Sequence, residues 1–400
     1  MAKWLKFALI YLGAFVISIS QFKIAPNVVN DELTASLNAS LSSIQLLSSI
    51  FAISGVFLAL PGGLIMSKVG PKKLAIVLMA CLGIGNIIGY FVTNNYSLLL
   101  ITRILEGVSF AMFLMIAMVY IRHWFADSGS GLALGIFGTY SALAQPIIIG
   151  IAKPVVDSLG YRSLWLIIGL LAIITMVIYI FILEDVNSKD NLKAESQSTI
   201  KVKDIFSNTK IWILALAHGC MTFSLFTYLQ YGPKILEQYF GASNSEVTTY
   251  LSFFGIAGVV VGIAAGIIVD KTQKPAEVGI IAFVLMFIYW ISMFVQGNET
   301  SFAIVMLGVG VLAMVTGTAY TAVMILASGM SKKTEVTGYN VALVNTIYYA
   351  VIVIGAPLTT KVIEVYGWTI GFSMLGIISA LGAFLLLIFK KTNKNTLKEI

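Results

Sequence analysis

A helix needs roughly 20 mostly apolar residues to cross a hydrocarbon core, and windows of that kind recur twelve times along the chain. Six predicted spans fall near 5–24, 42–66, 73–93, 97–121, 131–155 and 163–183. Six more fall near 210–232, 246–269, 276–296, 301–328, 336–362 and 368–389. Between the two sets, Glu184 to Lys210 carries Lys189, Asp190, Lys193, Glu195, Lys201, Lys203 and Asp204 with little to bury, and reads as a solvated linker. The pattern predicts an all-α membrane protein, with an N-terminal six-helix bundle over 1–183, a cytoplasmic linker over 184–209 and a C-terminal six-helix bundle over 210–400.

The basic residues orient the spans, because positive flanks are retained on the cytoplasmic side. With both termini inside, 19 of the 25 Lys and Arg residues fall on cytoplasmic positions, and of the other six only Arg103 lies well within a span. A helix count wrong by one would erase this asymmetry. A repeat supports the six-plus-six division. At a shift of 207 residues, Gly131, Gly160 and Gly169 align with Gly338, Gly367 and Gly376, and Pro26 aligns with Pro233. Two duplicated halves are the layout of transporter folds with a site at the repeat interface.

Composition narrows the function. The chain is 58% hydrophobic and 11% charged, with a mean hydropathy of +0.94, whereas soluble domains carry about a quarter charged residues. The net charge of +7 is spread over short tufts between apolar runs, so no nucleic-acid-binding face is expected. Cys81 and Cys220 stand alone in apolar segments, and two histidines complete a set too sparse for a metal centre. There is no Gly-x-x-x-x-Gly-Lys-Ser/Thr loop, so no nucleotide or other cofactor is expected and active transport would draw on gradients. Lys3 and Lys6 before an apolar stretch ending in Ser18 to Ser20 mimic a secretory signal, but the topology needs this segment as a retained helix.

The loop after the second span reads Gly63-Leu-Ile-Met-Ser67-Lys68-Val-Gly70-Pro71-Lys72-Lys73, and the loop after the eighth repeats its start as Gly266-Ile-Ile-Val-Asp270-Lys271. These resemble the Gly-x-x-x-Asp-Arg-x-Gly-Arg-Arg loop of the major facilitator superfamily. The resemblance implies twelve helices in two bundles, alternating access, and a gating role for these loops, in which the acid meets the positive end of a helix of the opposite half. Ser67 departs from the pattern where the acid is expected. Glu335, at the start of the eleventh span, is read as the compensating member of a matched pair with Ser67.

The fourth span carries Arg103-Ile-Leu-Glu106-Gly107, which is similar to the family's Arg-x-x-Gln-Gly stretch with Glu in place of Gln. Ionised side chains inside a span are costly and mark functional sites by default. At i and i+3 the two also share a helix face and can neutralise each other as a purely structural pair. Two readings stand side by side: Arg103 holds substrate charge while Glu106 takes up a proton, or the pair only orients its helix. Arg122-His123-Trp124-Phe125 and Gly131-Leu-Ala133-Leu-Gly135 resemble a stretch of anion-carrying branches.

Lys23, Lys153, Lys234 and Lys361 fall near the external ends of the first, fifth, seventh and eleventh spans, which line the central cavity in the family. They are read either as a basic mouth for an anion or as lysines snorkelling to the interface. Polar residues in spans must face protein or water. Gln21, Tyr140, Gln145, His218, Tyr228, Tyr231, Tyr320, Asn340, Asn345, Tyr348 and Tyr349 form the inventory of pathway candidates.

Together these features predict a secondary active transporter that carries a small polar solute, an organic anion, by alternating access with protons in symport. Proton-driven drug export is the alternative within the class, disfavoured because Gln145-Pro146 lacks a glycine-rich run. A membrane-embedded enzyme or a sensor is the alternative outside it. The expected partners are a small-molecule substrate, protons and the lipid bilayer, with no nucleic acid. The chain is read as a monomeric multi-pass protein of a prokaryotic plasma (inner) membrane with both termini cytoplasmic.

Overall fold

The computed structural model describes residues 3–59, 61–92, 94–125, 133, 136–137, 139–184, 208–330 and 334–392. They are helical throughout apart from short turns and caps, and they divide into two compact units, Met1–Gln197 and Ser198–Ile400. Eleven helices are long and apolar enough to cross a membrane among the described residues. The remaining predicted span, near 246–269, lies in a helix running from Asn244 to Thr272.

In the first unit, the opening span is α1 (Lys3–Phe22), and a second helix, α2 (Asn27–Leu37), follows it across a break at residues 23–26. The sequence pattern placed α2 in a loop. Pro26 explains the break, since it lacks an N–H and pushes the residue before it out of helical backbone. The second span is broken, with α3 over Leu41–Ser49, a 3₁₀ turn over Ile50–Ala52, α4 over Ile53–Leu58 and α5 over Gly62–Val69. Then follow α6 (Pro71–Phe91), α7 (Tyr96–Trp124), α8 (Tyr140–Leu159) and α9 (Arg162–Ile182). Pro71 sits in the first turn of α6, where its missing N–H costs nothing. Asn95 caps α7 by accepting from the Leu98 N–H at 2.9 Å.

Breaks inside a membrane span release backbone carbonyls that water cannot reach, so side chains must satisfy them. Asn30 on α2 donates to the carbonyls of Ile24, Ala25 and Pro26 and is held from α3 by Gln45 at 2.9 Å. Arg103 on α7 donates to the carbonyls of Ser20 and Gln21 at the end of α1. The two breaks therefore meet one buried basic side chain.

The second unit contains α10 (Thr209–Lys234) with a π turn over Ile235–Tyr239, α11 (Asn244–Thr272), α12 (Pro275–Ser292), α13 (Phe302–Gly329), α14 (Thr334–Tyr366) and α15 (Trp368–Thr392). Ser243 and Glu246 form a reciprocal capping box at the start of α11. The turns after α8 and α14 both use a glycine in the left-handed region, Gly160 at φ 76° and Gly367 at φ 84°. These two positions are 207 residues apart, so the glycines matched by the repeat perform the same conformational task.

Candidate functional site

The first unit encloses a cluster of charged and polar side chains in which Lys23, Arg103, Glu106, Ser20 and Asn86 are all shielded from solvent. Lys23, in the break between α1 and α2, reaches both carboxylate oxygens of Glu106 at 2.8 Å and the Asn86 Oδ1 at 2.6 Å. Arg103 Nη1 lies 2.5 Å from Glu106 Oε2, which also accepts from the Ser20 hydroxyl at 2.7 Å. Asn86 donates to the Ser20 Oγ at 3.2 Å and to the Leu82 carbonyl at 2.9 Å. Two formal positive charges thus meet one negative charge. Removing such groups from water costs several kcal/mol per ion, and only close pairing with filled hydrogen bonds makes their burial tolerable.

Aromatic faces complete the enclosure. The Lys23 ammonium lies 4.6 Å from the Trp165 ring centre on α9, and the Arg103 guanidinium lies 5.1 Å from that of Phe51. Glycines permit the close approach. A Cβ on Gly85 of α6 would come within 2.9 Å of Glu106 Cγ, and one on Gly89 within 2.4 Å of Trp165 Cδ1. On α7, a Cβ on Gly107 would lie 1.7 Å from the Phe51 carbonyl oxygen, so the motif glycine lets α7 press against the 3₁₀ turn.

Arg103 and Glu106 do pair, and Lys23 joins them. That last placement departs from a solvent-facing mouth: a lysine in a helix break is turned inward here by a buried carboxylate. The four lysines do not share one environment. Lys234 is buried and bonds Glu237 at 2.9 Å, Lys153 is exposed and pairs with Asp157 one turn away, and Lys361 is exposed. Lys153 and Lys361 are therefore surface lysines, whereas Lys23 and Lys234 are buried.

The pathway candidates separate between the units. In the first, Gln21 and Gln145 are buried and Tyr140 is half-buried, near the start of α8. In the second, His218 on α10 is fully buried with both ring nitrogens unpartnered, its ring 5.4 Å from that of Tyr320 on α13 and 5.6 Å from that of Tyr348 on α14. Tyr228 and Tyr231 on α10 are buried, Tyr228 against Phe254 and Tyr231 stacked on Trp368. Asn340 and Tyr349 on α14 are buried, while Asn345 on the same helix is half-buried. Among the gating-loop residues, Lys68 and Lys271 are exposed, Lys72 is half-buried and Gly70 adopts φ 85°. The side chains of Gly63, Ser67, Gly266, Asp270 and Glu335, and that of Arg122, lie outside the described residues, as do Gly131, Gly135 and residues 185–207 of the linker.

Sequence reading missed Ser20, Asn86 and Trp165 as members of the cluster. Asn86 carried a usable signal, a lone amide in an otherwise apolar span flanked by Gly85 and Gly89. Gln230 was also missed: it is 1% exposed with both ends of its amide unpartnered, and it stands 207 residues after Lys23. Among the described residues no group of three or more His, Cys, Asp or Glu side chains is arranged to hold a metal.

Eleven long apolar helices among the described residues, with a buried cluster of ionisable side chains enclosed in the first unit, define a polytopic membrane protein. The sequence matches the family model of the Major Facilitator Superfamily over residues 10–338, and the chain belongs to that superfamily. A relative, the probable sulfoacetate transporter SauU of Cupriavidus necator, is 21% identical over 280 residues, covering 66% of this chain and 64% of that protein. The match thus spans just under two thirds of the relative's length.

Proposed function

We propose that the protein is a secondary active transporter that carries a small organic anion across the cell membrane by alternating access, in symport with protons. The observation that carries this reading is the buried contact of Lys23 with both oxygens of Glu106 at 2.8 Å. A carboxylate held this way takes up a proton only when another anion takes over its cation. Once Glu106 accepts one, its hold on Lys23 weakens, and the freed ammonium is a binding partner for an anion at membrane depth. Proton uptake and anion binding then favour each other, which is the coupling a symporter needs. The transporter family and the anion named for the relative support the same class of cargo.

The proposal includes a monomeric chain with both termini in the cytoplasm, as the distribution of Lys and Arg suggests. It also keeps the gating roles of the loops around Ser67 and Asp270. The test is uptake into proteoliposomes of carboxylates, sulfonates, sugars and amphipathic cations, with and without an inward proton gradient. Saturable, gradient-dependent uptake of an anion that disappears in Glu106→Gln is expected. Transport of a cation alone, or uptake still driven by protons in Glu106→Gln, would overturn the reading.

A further inference from the structure

The two buried cations bind their surroundings in different ways. A guanidinium has five N–H donors in a rigid fork. Those of Arg103 are all engaged: Nε with the Leu47 carbonyl at 3.2 Å, Nη1 with the Ser20 carbonyl at 2.8 Å and Glu106 at 2.5 Å, and Nη2 with the Gln21 and Ser48 carbonyls, both at 3.2 Å. Four of these acceptors are backbone carbonyls in the final turns of α1 and α3, where both helices break. Final-turn carbonyls lack intrahelical donors and attract cations. Moving Arg103 would leave the carbonyls at the ends of two helices without their donor in a buried place.

Lys23 has three donors, and they reach side chains only: Asn86 Oδ1 and the two oxygens of Glu106. Among the described residues, no backbone carbonyl accepts from it. The remaining faces of the cluster are uncharged, with Asn86 from α6, Ser20 from α1 and the Trp165 ring from α9. Lys23 and Arg103 are the charged groups that face Glu106.

We infer that Arg103 is a positioning residue that staples two broken helices, and that Lys23 is the exchangeable cation of this buried cluster, so the site takes a single monoanionic group, carboxylate or sulfonate, per proton. The inference rests on the reading given under Proposed function and adds a stoichiometry to it. A proton from water moves onto the Glu106 carboxylate, the Lys23 N–H donors pass from Glu106 to the anion, and no covalent bond changes. The cluster holds the same net charge before and after, because the neutralised carboxylate is replaced by one bound negative charge. A second anionic group on the solute would find no free cationic donor in this cluster, since the N–H groups of Arg103 are all engaged.

The experiment uses the full chain in proteoliposomes, with the monoanions glycolate and 2-hydroxyethanesulfonate and the dianions malonate and sulfoacetate as probes. Uptake is driven by a proton gradient and measured with and without a potassium diffusion potential. The expected result is monoanion uptake that changes less than twofold with the imposed potential, with a proton-to-anion ratio of one, and weaker uptake of the dianions. Lys23→Gln should lose saturable uptake, and Lys23→Arg should restore part of it. Arg103→Lys should lower the unfolding temperature and the maximal rate while leaving KM within about threefold. Proton-driven uptake that carries net charge, preference for dianions, or a KM raised tenfold or more in a stably folded Arg103→Lys protein would overturn this inference alone. If Arg103→Lys does not fold, the charge measurement on the unaltered chain decides. Failure of every anion in the unaltered chain would overturn both this inference and the reading beneath it.

Discussion

Glu106→Gln is the substitution whose cost follows most directly from the geometry. In the native cluster one carboxylate faces Lys23 at 2.8 Å and Arg103 at 2.5 Å, with none of the three exposed. The amide keeps the shape and removes the charge, leaving two positive groups buried side by side. Breaking a buried pair from one side costs about 3–5 kcal/mol, because the partner stays desolvated without its counter-charge. For a unit the size of Met1–Gln197, that corresponds to a drop of about 6–20 °C in apparent unfolding temperature at about 2–4 °C per kcal/mol. Lys23→Met leaves Arg103 and Glu106 as a neutral pair but strands the Asn86 oxygen and the Glu106 Oε1, both of which accept from Lys23, at a cost of about 1–3 kcal/mol for each. In the Lys23→Met background, Glu106→Gln leaves one buried positive charge instead of two. Its penalty should shrink by about 0.5–3 kcal/mol, the range of coupling between residues in contact. The assay is thermal unfolding of the purified protein in detergent, followed by tryptophan fluorescence for the four members of the cycle. Equal penalties for Glu106→Gln in both backgrounds would refute the Lys23–Glu106 contact.

Three further outcomes are expected. Gly107→Ala places a methyl group 1.7 Å from the Phe51 carbonyl oxygen and must drive α7 from the 3₁₀ turn; a strain above about 3 kcal/mol and loss of monodisperse protein on size-exclusion chromatography should follow. His218→Phe replaces a buried imidazole whose nitrogens have no partner, so the unfolding temperature should rise by the equivalent of about 1–3 kcal/mol; a fall would show that the ring has a polar partner. Glu184, at the end of the first unit, receives hydrogen bonds from Lys6 at 2.9 Å and Trp124 at 2.6 Å, which hold its carboxyl below the usual glutamate range. Because the folded value is the lower one, the stabilisation is present above the unfolded value of about 4.3 and is lost as the pH falls through the folded value. Its side chain is 42% exposed, so the effect should stay below about 1 kcal/mol. Glu184→Gln should flatten the acid limb of the unfolding curve, and an unchanged limb would assign it to other groups.

The all-α membrane fold, eleven of the twelve expected spans among the described residues and the family were legible from the chain alone, because the cost of burying backbone and charge in hydrocarbon writes itself into long apolar runs and their basic flanks. Arg103 and Glu106 were legible for the same reason, as ionised groups where lipid tolerates none. The location of Lys23 was not. Next to Pro26 at the end of an apolar run, it looks like any lysine that can reach the interface. What turns it inward is a carboxylate 83 residues away and an amide 63 residues away. The breaks at Lys23 to Pro26 and at Ile50 to Ala52 were likewise hidden, because hydropathy averages over a window and does not register which carbonyls lose their partners. Periodicity and composition determined which segments enter the membrane. Only the packed unit decided which charges meet there, because the stability of a buried ion depends on contacts between helices distant in sequence, made possible at Gly85, Gly89 and Gly107 by the absence of a side chain.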